Sequence, residues 1–237
     1  MIAFDSESGN INILHILDHT HPTYVKKRNS LPEGDKYNGA YYYSKDIVKY
    51  IIPNVNTDRD WITIRCPEVK CHSGHSIIFI HNNRNPNYYD YLRNYDDAVL
   101  VCGLPSTAEN MKFFSDKVIY LPLSVDVKSV MKYRRKHKDR EMAFAGRMVK
   151  ISPMYHAPVP KECDILTNMP QYRLLQEMAH YKKIYATGRT AIQAKILGCE
   201  IGVHDPRYPD PNLWQVVDCL DAAKMLQKEL DKIDKKG

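Results

Sequence analysis

The sequence predicts an α/β protein with two lobes, each built on a parallel β-sheet. Strand-like and helix-like segments alternate along most of its 237 residues, and repeated alternation places helices on both faces of a parallel sheet. A basic stretch that begins after 123–126 separates two such series. We therefore predict lobes over 1–125 and 126–237, with a ligand cleft between them, because ligands of such folds bind at the carboxyl ends of the strands.

The first lobe begins with an apolar segment at 12–17 that predicts a strand. A helix is predicted over 39–52, where apolar residues recur every three or four positions and a proline lies just beyond the end. Ser106 and Glu109 have the spacing of a capping box, which predicts that Ser106 begins a second helix. Further strands are predicted at 61–64, 76–80, 98–102 and 117–121, and a further short helix at 86–94.

The second lobe repeats the alternation of strands and helices. Its strands are predicted, in chain order, at 142–145, 164–166, 183–186 and 199–203. Its helices are predicted at 171–180, 191–197 and 218–233. The last of these is amphipathic, with apolar side chains on one face, as expected of a helix that packs on a core.

The composition is that of an ordinary globular protein, with 43% hydrophobic and 26% charged residues. No apolar run reaches the roughly 18–20 residues that span a bilayer. The first residues, MIAFDSESGN, lack the basic and apolar regions of a signal peptide. We therefore predict a cytoplasmic protein without a membrane span. Its six cysteines are scattered, which favours reduced thiols over a disulfide framework.

The formal charge of +6 is unevenly distributed, and residues 127–147 form a basic segment. It includes Arg134, Arg135 and Lys136 and contains only two acidic residues. Such a block favours phosphate-bearing partners, including nucleic acid, through long-range attraction and counterion release. Because the segment lies at the predicted crossing between lobes, we expect it to border the cleft. A solvated basic helix or linker is an equally good interpretation.

Residues 182–203 combine a strand, a turn of phosphate-binding type, a helix and a second strand. Gly188 precedes the helix, Thr190 is placed to cap it, and Arg189 lies beside both. The first turn of such a helix presents backbone N–H groups and the positive end of the helix dipole. These three residues are therefore a predicted anion site. The same unit recurs in α/β proteins that bind no ligand, so a structural role is the alternative.

Three segments, in the correct order, resemble glycosyltransferases of the GT-B family, and the stretch that encloses them, 98–198, is a little under half of the chain. Residues 98–126 are similar to the end of that family's first lobe, which closes on a P-x-x-V-D motif. Residues 142–150, MAFAGRMVK, resemble the opening strand of the donor lobe with its Gly-Arg and later Lys. Residues 189–198, RTAIQAKILG, resemble the late donor motif E-A-x-x-x-G. The resemblance implies two Rossmann-like lobes and sugar transfer from a nucleotide sugar.

The resemblance also implies roles for individual residues. Arg147 and Lys150 neutralise the leaving diphosphate, Gly146 permits close backbone approach, and the turn at 188–190 supplies further donors. Gln193 stands where the family has a carboxylate that binds the ribose hydroxyls; its amide oxygen accepts hydrogen bonds but carries no charge. The implied donor is a UDP-sugar, used without a bound metal or a tightly bound cofactor. The second lobe is short, so one or more βα units of the family should be missing.

An inverting transferase needs a base that accepts the proton of the acceptor hydroxyl. Asp18 and His19 follow the first predicted strand, at its carboxyl end, and are our candidates for this base. A turn-capping role is the equal alternative. On the acceptor side we predict His21, Asn82, Asn83 and Arg84, which also follow predicted strands.

Four potential metal ligands, Cys66, Cys71, His72 and His75, lie within one short segment. Zinc ligands usually come in pairs two to four residues apart, and the adjacent Cys71 and His72 are poorly suited to joint coordination. We therefore predict an ordinary loop rather than a metal site.

The sequence thus predicts a small glycosyltransferase. Its basic surface and size are similar to those of bacteriophage DNA-base glucosyltransferases, which makes double-stranded DNA a candidate acceptor and the host cytoplasm the matching location. Glycan and protein acceptors stay open. Two other classes also stay open: a nucleic-acid-binding protein without catalysis, which would use the basic segment, and a nucleotide-binding α/β module without transfer activity.

Overall fold

The computed structural model of the protein describes residues 39–64, 75–80, 90, 92–93, 96–147 and 159–235, with 40–41 and 62–64 described by their backbone alone. These residues fall into two compact units. Unit 1 draws on Ser44–Pro122 and Leu220–Gly237, and unit 2 on Arg28–Tyr43 and Leu123–Cys219. The division after Pro122 lies close to the predicted lobe boundary, whereas the closing segment after Cys219 groups with unit 1.

The described residues form eight β-strands and six α-helices. The strands are β1 (Asp60–Ile64), β2 (Ser76–Ile80), β3 (Val99–Cys102), β4 (Val118–Tyr120), β5 (Arg140–Ala145), β6 (Asp164–Leu166), β7 (Tyr181–Tyr185) and β8 (Glu200–Gly202). The helices are α1 (Gly39–Asp46), α2 (Pro105–Met111), α3 (Val127–Met131), α4 (Gln171–Met178), α5 (Arg189–Ile196) and α6 (Cys219–Asp234). A π turn, Ile47–Ile51, continues α1, and 3₁₀ turns occur at Ile52–Asn54 and Pro211–Leu213.

The strands predicted from residue 61 onwards are confirmed, as are the helices that open near 39, 106, 171, 191 and 218. The predicted strand at 12–17 lies outside the described residues, as does most of the predicted helix at 86–94. Among the helices of the described ranges, none has the length and hydropathy that a bilayer crossing requires.

Unit 1 contains a parallel sheet in the order β1-β2-β3-β4. Strands that are adjacent in sequence are adjacent in the sheet, and Ile78 of β2 pairs with Leu100 of β3. All residues of β2 and β3 are buried, as expected of parallel strands that are covered on both faces. Continuous apolar runs in the sequence therefore correspond to the centre of this sheet.

Helix α6 completes unit 1. Its buried residues are Cys219, Ala222, Ala223, Leu226 and Leu230. On its polar side, Gln227 Oε1 accepts a hydrogen bond from the backbone N–H of Asn56 at 2.6 Å. Arg59 and Asp234 form an ion pair at 3.0 Å. The amphipathic character predicted for the closing helix is confirmed by this division into an apolar and a polar face.

Unit 2 contains a second parallel sheet in the order β6-β5-β7-β8. From β5 the chain moves to one side to form β6, and it then crosses to the other side to form β7 and β8. The carboxyl ends of β5 and β7 therefore flank the point where the strand order reverses. Open α/β sheets bind their ligands at such a switch point. The two parallel sheets confirm the α/β class and agree with Rossmann-like units.

The start of α2 differs from its prediction. Its N-cap residue is Leu104, which makes no side-chain cap, and Pro105 occupies the first helical position. Proline is favoured there because its φ suits the helix and its missing N–H needs no partner. Ser106 therefore lies inside the helix, and the predicted capping box with Glu109 is wrong.

Candidate functional site

The carboxyl edge of the unit 2 sheet brings together two segments that are distant in sequence. Gly146 and Arg147 directly follow β5, and Gly188 lies in the turn after β7. The two strands are adjacent and parallel, with Phe144 paired with Tyr185. Both segments therefore leave the sheet side by side at the switch point. We call Gly146, Arg147, Gly188 and the first turn of α5 the carboxyl-edge site.

Gly188 sets the start of α5. It is the N-cap residue, with φ 64° and ψ −142°, a conformation that is readily adopted only by glycine. Its carbonyl oxygen accepts a helical hydrogen bond from Ile192 N at 3.2 Å. Thr190 is the second residue of the helix, so the prediction that Thr190 caps α5 is wrong. The glycine conformation turns the chain into the helix without a capping side chain.

The space beside Gly188 is open. Its immediate neighbours aside, no atom of the described residues lies within 4 Å of the position that a Cβ on Gly188 would occupy. A glycine N-cap also offers no side-chain oxygen to the N–H groups of the first turn, which have no partner within the helix. The positive end of the helix dipole at this turn is favourable for an anion.

The Phe144 ring joins a third segment to this edge. The side chain is fully buried, and a Cβ on Gly146 would lie only 3.1 Å from its Cζ atom. The same ring packs edge-on against His204, with ring centroids 5.5 Å apart and planes at 76°. Because His204 follows β8, the segments after β5 and β8 converge on one side chain. Arg147, one residue beyond Gly146, is exposed at this edge.

Arg189 points into unit 2 rather than into solvent. The residue is only 8% exposed, and its Nη1 donates a hydrogen bond to the backbone carbonyl of Ser124. Its guanidinium also lies over the Tyr43 ring, 5.7 Å from the ring centroid. The side chain therefore connects the first turn of α5 to the segment that precedes α3. This geometry gives Arg189 a structural contact that the sequence did not indicate.

Gln193 is also inside the unit. It lies in the second turn of α5 and is 4% exposed, between the buried Ile192 and Ala194. The resemblance to GT-B enzymes implies a contact of this side chain with ribose. In the structure the residue belongs to the buried part of the helix.

The loop after β8 contains a charged pair, Asp205 and Arg207, that was not among the predicted site residues. Asp205 is 2% exposed, and its carboxylate accepts hydrogen bonds from Arg207 Nε at 2.9 Å and Nη2 at 2.6 Å. Burial alone raises the pKa of Asp205, but the hydrogen bonds from Arg207 outweigh it and leave the pKa below its ordinary value. The only sequence signal was a charged pair two residues apart, directly after a predicted strand.

Residues 132–139 of the basic segment lie at the opposite end of the unit 2 sheet, whereas its last residue, Arg147, belongs to the carboxyl-edge site. Residues 132–139 precede β5 and therefore lie at its amino edge. There, Arg135 Nη1 is 2.7 Å from His180 Nε2, and His180 Nδ1 is 2.8 Å from Asp139 Oδ1. Arg134, Arg135 and Lys136 are thus separated from the carboxyl-edge site by the length of β5. The expected position of the basic segment beside a cleft between the lobes stays a prediction.

Two cations of the basic segment lie at helix ends. Lys138 Nζ donates to the carbonyl of Ala179, the C-cap residue of α4, at 3.3 Å. The Arg134 guanidinium lies against Gly198, just beyond α5, where a Cβ would be 3.4 Å from its Nε. Positive charge near a helix C-terminus is favourable because it complements the helix dipole. These contacts give part of the basic segment a structural role.

Several predicted site residues lie outside the described residues: Asp18, His19, His21, Asn82, Asn83, Arg84 and Lys150. Cys66, Cys71 and His72, for which the sequence predicts an ordinary loop, lie outside them as well. His75 is described, and its Nδ1 lies 2.5 Å from Asp97 Oδ2 while its Nε2 lies 2.9 Å from Asp58 Oδ1. Both ring nitrogens of His75 therefore contact carboxylates. In the part of the chain that the structure describes, no His, Cys, Asp and Glu side chains form a group suited to a metal ion.

No protein-family model, curated protein or solved structure matches this chain. A functional assignment therefore depends on the geometry of the carboxyl-edge site and on the chemistry of its residues.

Proposed function

We propose that this protein is a glycosyltransferase that uses a nucleotide-sugar donor, and that unit 2 binds the donor diphosphate at the carboxyl-edge site. The observation that carries the proposal is the meeting of Gly146 and Arg147 with Gly188 at the switch point of a parallel sheet. The resemblance to GT-B enzymes assigns these two distant segments to one diphosphate. Their adjacency supports that assignment, because a shared ligand requires it.

The proposed chemistry follows from the charge of the leaving group. A nucleoside diphosphate gains negative charge as the glycosidic bond breaks, so fixed positive groups stabilise the transition state more than the ground state. Arg147 supplies such a charge, and the N–H groups of the first turn of α5 donate hydrogen bonds. Gly188 leaves room for phosphate oxygens beside the backbone. Lys150 is the second proposed cation, and Asp18 or His19 the proposed base for the acceptor hydroxyl.

In this proposal Arg189 and Gln193 support the site without contacting the donor. Arg189 holds the start of α5 through Ser124, and Gln193 is buried within the same helix. A helix N-terminus binds an anion more strongly when its position is fixed, because a preorganised site loses less conformational entropy on binding.

Calorimetric titration with UDP, ADP, GDP and the corresponding nucleotide sugars tests the proposal. We expect the wild-type protein to bind at least one nucleoside diphosphate. Arg147→Ala should weaken that binding about tenfold or more, since a hydrogen bond to a charged group contributes about 1.5–3 kcal/mol. The matched control is Arg134→Ala, which removes the same side chain at the amino edge and should leave the affinity unchanged. Equal affinities for all three proteins would contradict the proposed site.

A nucleotide-binding module without transfer activity is the second candidate function. The open Gly188 turn and the exposed Arg147 support phosphate binding in either case. Release of free nucleotide from a nucleotide sugar, measured by chromatography with and without added acceptors, separates the two. Tight binding without hydrolysis or transfer would favour the module. DNA is not part of the main proposal, because Arg134 and Arg135 contact groups at the far edge of the sheet.

A further inference from the structure

The loop after β8 begins beside the Gly188 turn. Strands β7 and β8 are parallel neighbours, and Tyr185 pairs with Gly202. Gly188 and Asp205 each lie three positions beyond their member of this pair. The strands are closely packed here, because a Cβ on Gly202 would lie 2.5 Å from the Tyr185 ring. The Asp205 loop therefore continues the carboxyl-edge site along the sheet.

Asp205 orients Arg207. The carboxylate of Asp205 is almost completely buried, and it accepts hydrogen bonds from both the Nε and the Nη2 of Arg207. A two-point contact of this kind fixes the plane of the guanidinium as well as its position. The guanidinium also lies over the Tyr208 ring, 5.6 Å from its centroid, and 55% of the Arg207 side chain is exposed.

The loop that carries Arg207 is anchored on both sides. Tyr208 packs against the buried Trp214, with ring centroids 5.3 Å apart. Lys195, on α5, donates to the carbonyl of Pro211 at 2.7 Å. The loop is thus tied to the same helix whose first turn belongs to the carboxyl-edge site. A cation on a fixed loop is preorganised for an anionic ligand.

A turn-forming role for Asp205 accounts for only part of this arrangement. Its Oδ1 accepts from Arg207 N at 3.1 Å, and its carbonyl accepts from Tyr208 N at 2.9 Å, which is sufficient for a turn. Neither bond requires the guanidinium. The additional fork orients a charged side chain that remains accessible at the ligand edge of the sheet.

We propose that Arg207 is a further phosphate-binding residue of the carboxyl-edge site, with Asp205 as its positioning residue, and that its ligand is the phosphate chain of a nucleoside diphosphate. This inference rests on the proposed function. It adds a cation from the β8 loop to Arg147 from the β5 loop, so that two arginines approach the diphosphate from separate strands.

Titration of wild type, Arg207→Ala and Asp205→Asn with UDP, ADP, GDP and the matching nucleosides tests the inference. For the diphosphate that wild type binds best, Arg207→Ala should raise the Kd about tenfold or more and flatten its salt dependence, while the Kd of the nucleoside stays unchanged. Asp205→Asn should raise the diphosphate Kd by a smaller factor. The double variant should be no weaker than Arg207→Ala, because the carboxylate acts through the arginine.

Thermal unfolding of each variant distinguishes lost contacts from lost structure. Arg207→Lys keeps the charge without the fork, so it should give an intermediate Kd at an unchanged melting temperature. Wild-type diphosphate affinity in Arg207→Ala would overturn the inference and leave the proposed function intact. A wild-type protein that binds none of the diphosphates would overturn both. A Kd that rises equally for nucleoside and diphosphate would also overturn it, because the effect would not involve phosphate.

Discussion

Arg189 donates a hydrogen bond to the backbone carbonyl of Ser124 while its guanidinium lies over the Tyr43 ring. The first helical residue of α5 is thereby connected to two other segments of unit 2. A cation next to a glycine turn is often interpreted as a ligand contact, but here the side chain is buried and directed towards the protein interior.

Arg189→Ala should therefore lower the free energy of unfolding, and its effect on nucleotide affinity should be smaller than that of Arg147→Ala. Removing the guanidinium leaves the Ser124 carbonyl without this donor and opens space beside Tyr43, with an expected cost of about 1–3 kcal/mol. The melting temperature measures the loss. Arg147→Ala is the matched control, because it removes an exposed arginine and should lower nucleotide affinity with little change in stability. Unchanged stability together with lost nucleotide binding in Arg189→Ala would show instead that Arg189 contacts the donor.

Gly188→Ala tests the backbone conformation at the carboxyl-edge site. The φ of 64° disfavours any residue with a Cβ, although the space around it is open, so we expect a cost of about 1–3 kcal/mol. Gly39→Ala is the control, since no atom of the described residues lies within 4 Å of a Cβ on Gly39 and its φ is not positive. Alanine at 39 should be neutral or slightly stabilising, because alanine is the better helix former. Equal melting temperatures for the two variants would contradict the conformation assigned to Gly188.

His75 should make the stability of unit 1 depend on pH. Its ring contacts Asp97 and Asp58, and Arg59 and Lys117 also surround this cluster, both in contact with Asp97. The hydrogen bonds to Asp97 and then to Asp58 raise the pKa of His75 above its ordinary value of 6.5. Folding therefore favours protonated His75. This stabilisation is fully present below the ordinary pKa and is lost as the pH rises through the raised pKa of the folded state.

Melting temperatures measured from mildly acidic to mildly alkaline pH check this expectation. His75→Gln should flatten the decline on the alkaline side, because the substituted residue has no proton to lose in that range. His137→Gln is the matched control, since His137 is exposed in the basic segment. A His75→Gln profile parallel to wild type would show that the contacts with Asp97 and Asp58 contribute no pH-dependent stability.

Replacing Arg134, Arg135 and Lys136 together with alanine tests whether the amino edge of the unit 2 sheet contributes to nucleotide binding. We expect unchanged nucleotide affinity, because these residues lie at the amino edge, and a lower melting temperature, because Arg134 and Arg135 lose their contacts with Gly198 and His180. DNA retention at low salt is measured in parallel. A wild-type protein that binds DNA with a steep salt dependence, which this variant flattens, would identify these side chains as phosphate contacts. Reduced nucleotide affinity in this variant would contradict the expectation that nucleotide binds only at the carboxyl edge.

The order of strands and helices could be predicted because its signals are local. The apolar runs of β2 and β3 and the glycine after α5 each lie within a few consecutive residues. Helix starts were less predictable, because alternatives one or two residues apart compete. The sequence predicted a cap at Ser106, but α2 begins one residue earlier, at Pro105. It also predicted a cap at Thr190, but the N-cap residue of α5 is Gly188.

The candidate site could be predicted only in part, because side-chain direction depends on contacts that are remote in sequence. Gly146 and Gly188 were identified as members of one site, but their adjacency depends on the crossing from β6 to β7. The burial of Arg189 depends on Ser124, far back along the chain. Asp205 and Arg207 carry no periodic signal, and their importance is apparent only once the carboxylate is seen to be buried.

The membership of α6 in unit 1 has a consequence for limited proteolysis. The two parts of unit 1 that the structure describes, within Ser44–Pro122 and Leu220–Gly237, are separated in sequence by most of unit 2. A single cut within unit 2 would therefore leave these two parts on different fragments. They would then be held together by non-covalent contacts such as the ion pair between Arg59 and Asp234 and the hydrogen bond between Asn56 and Gln227.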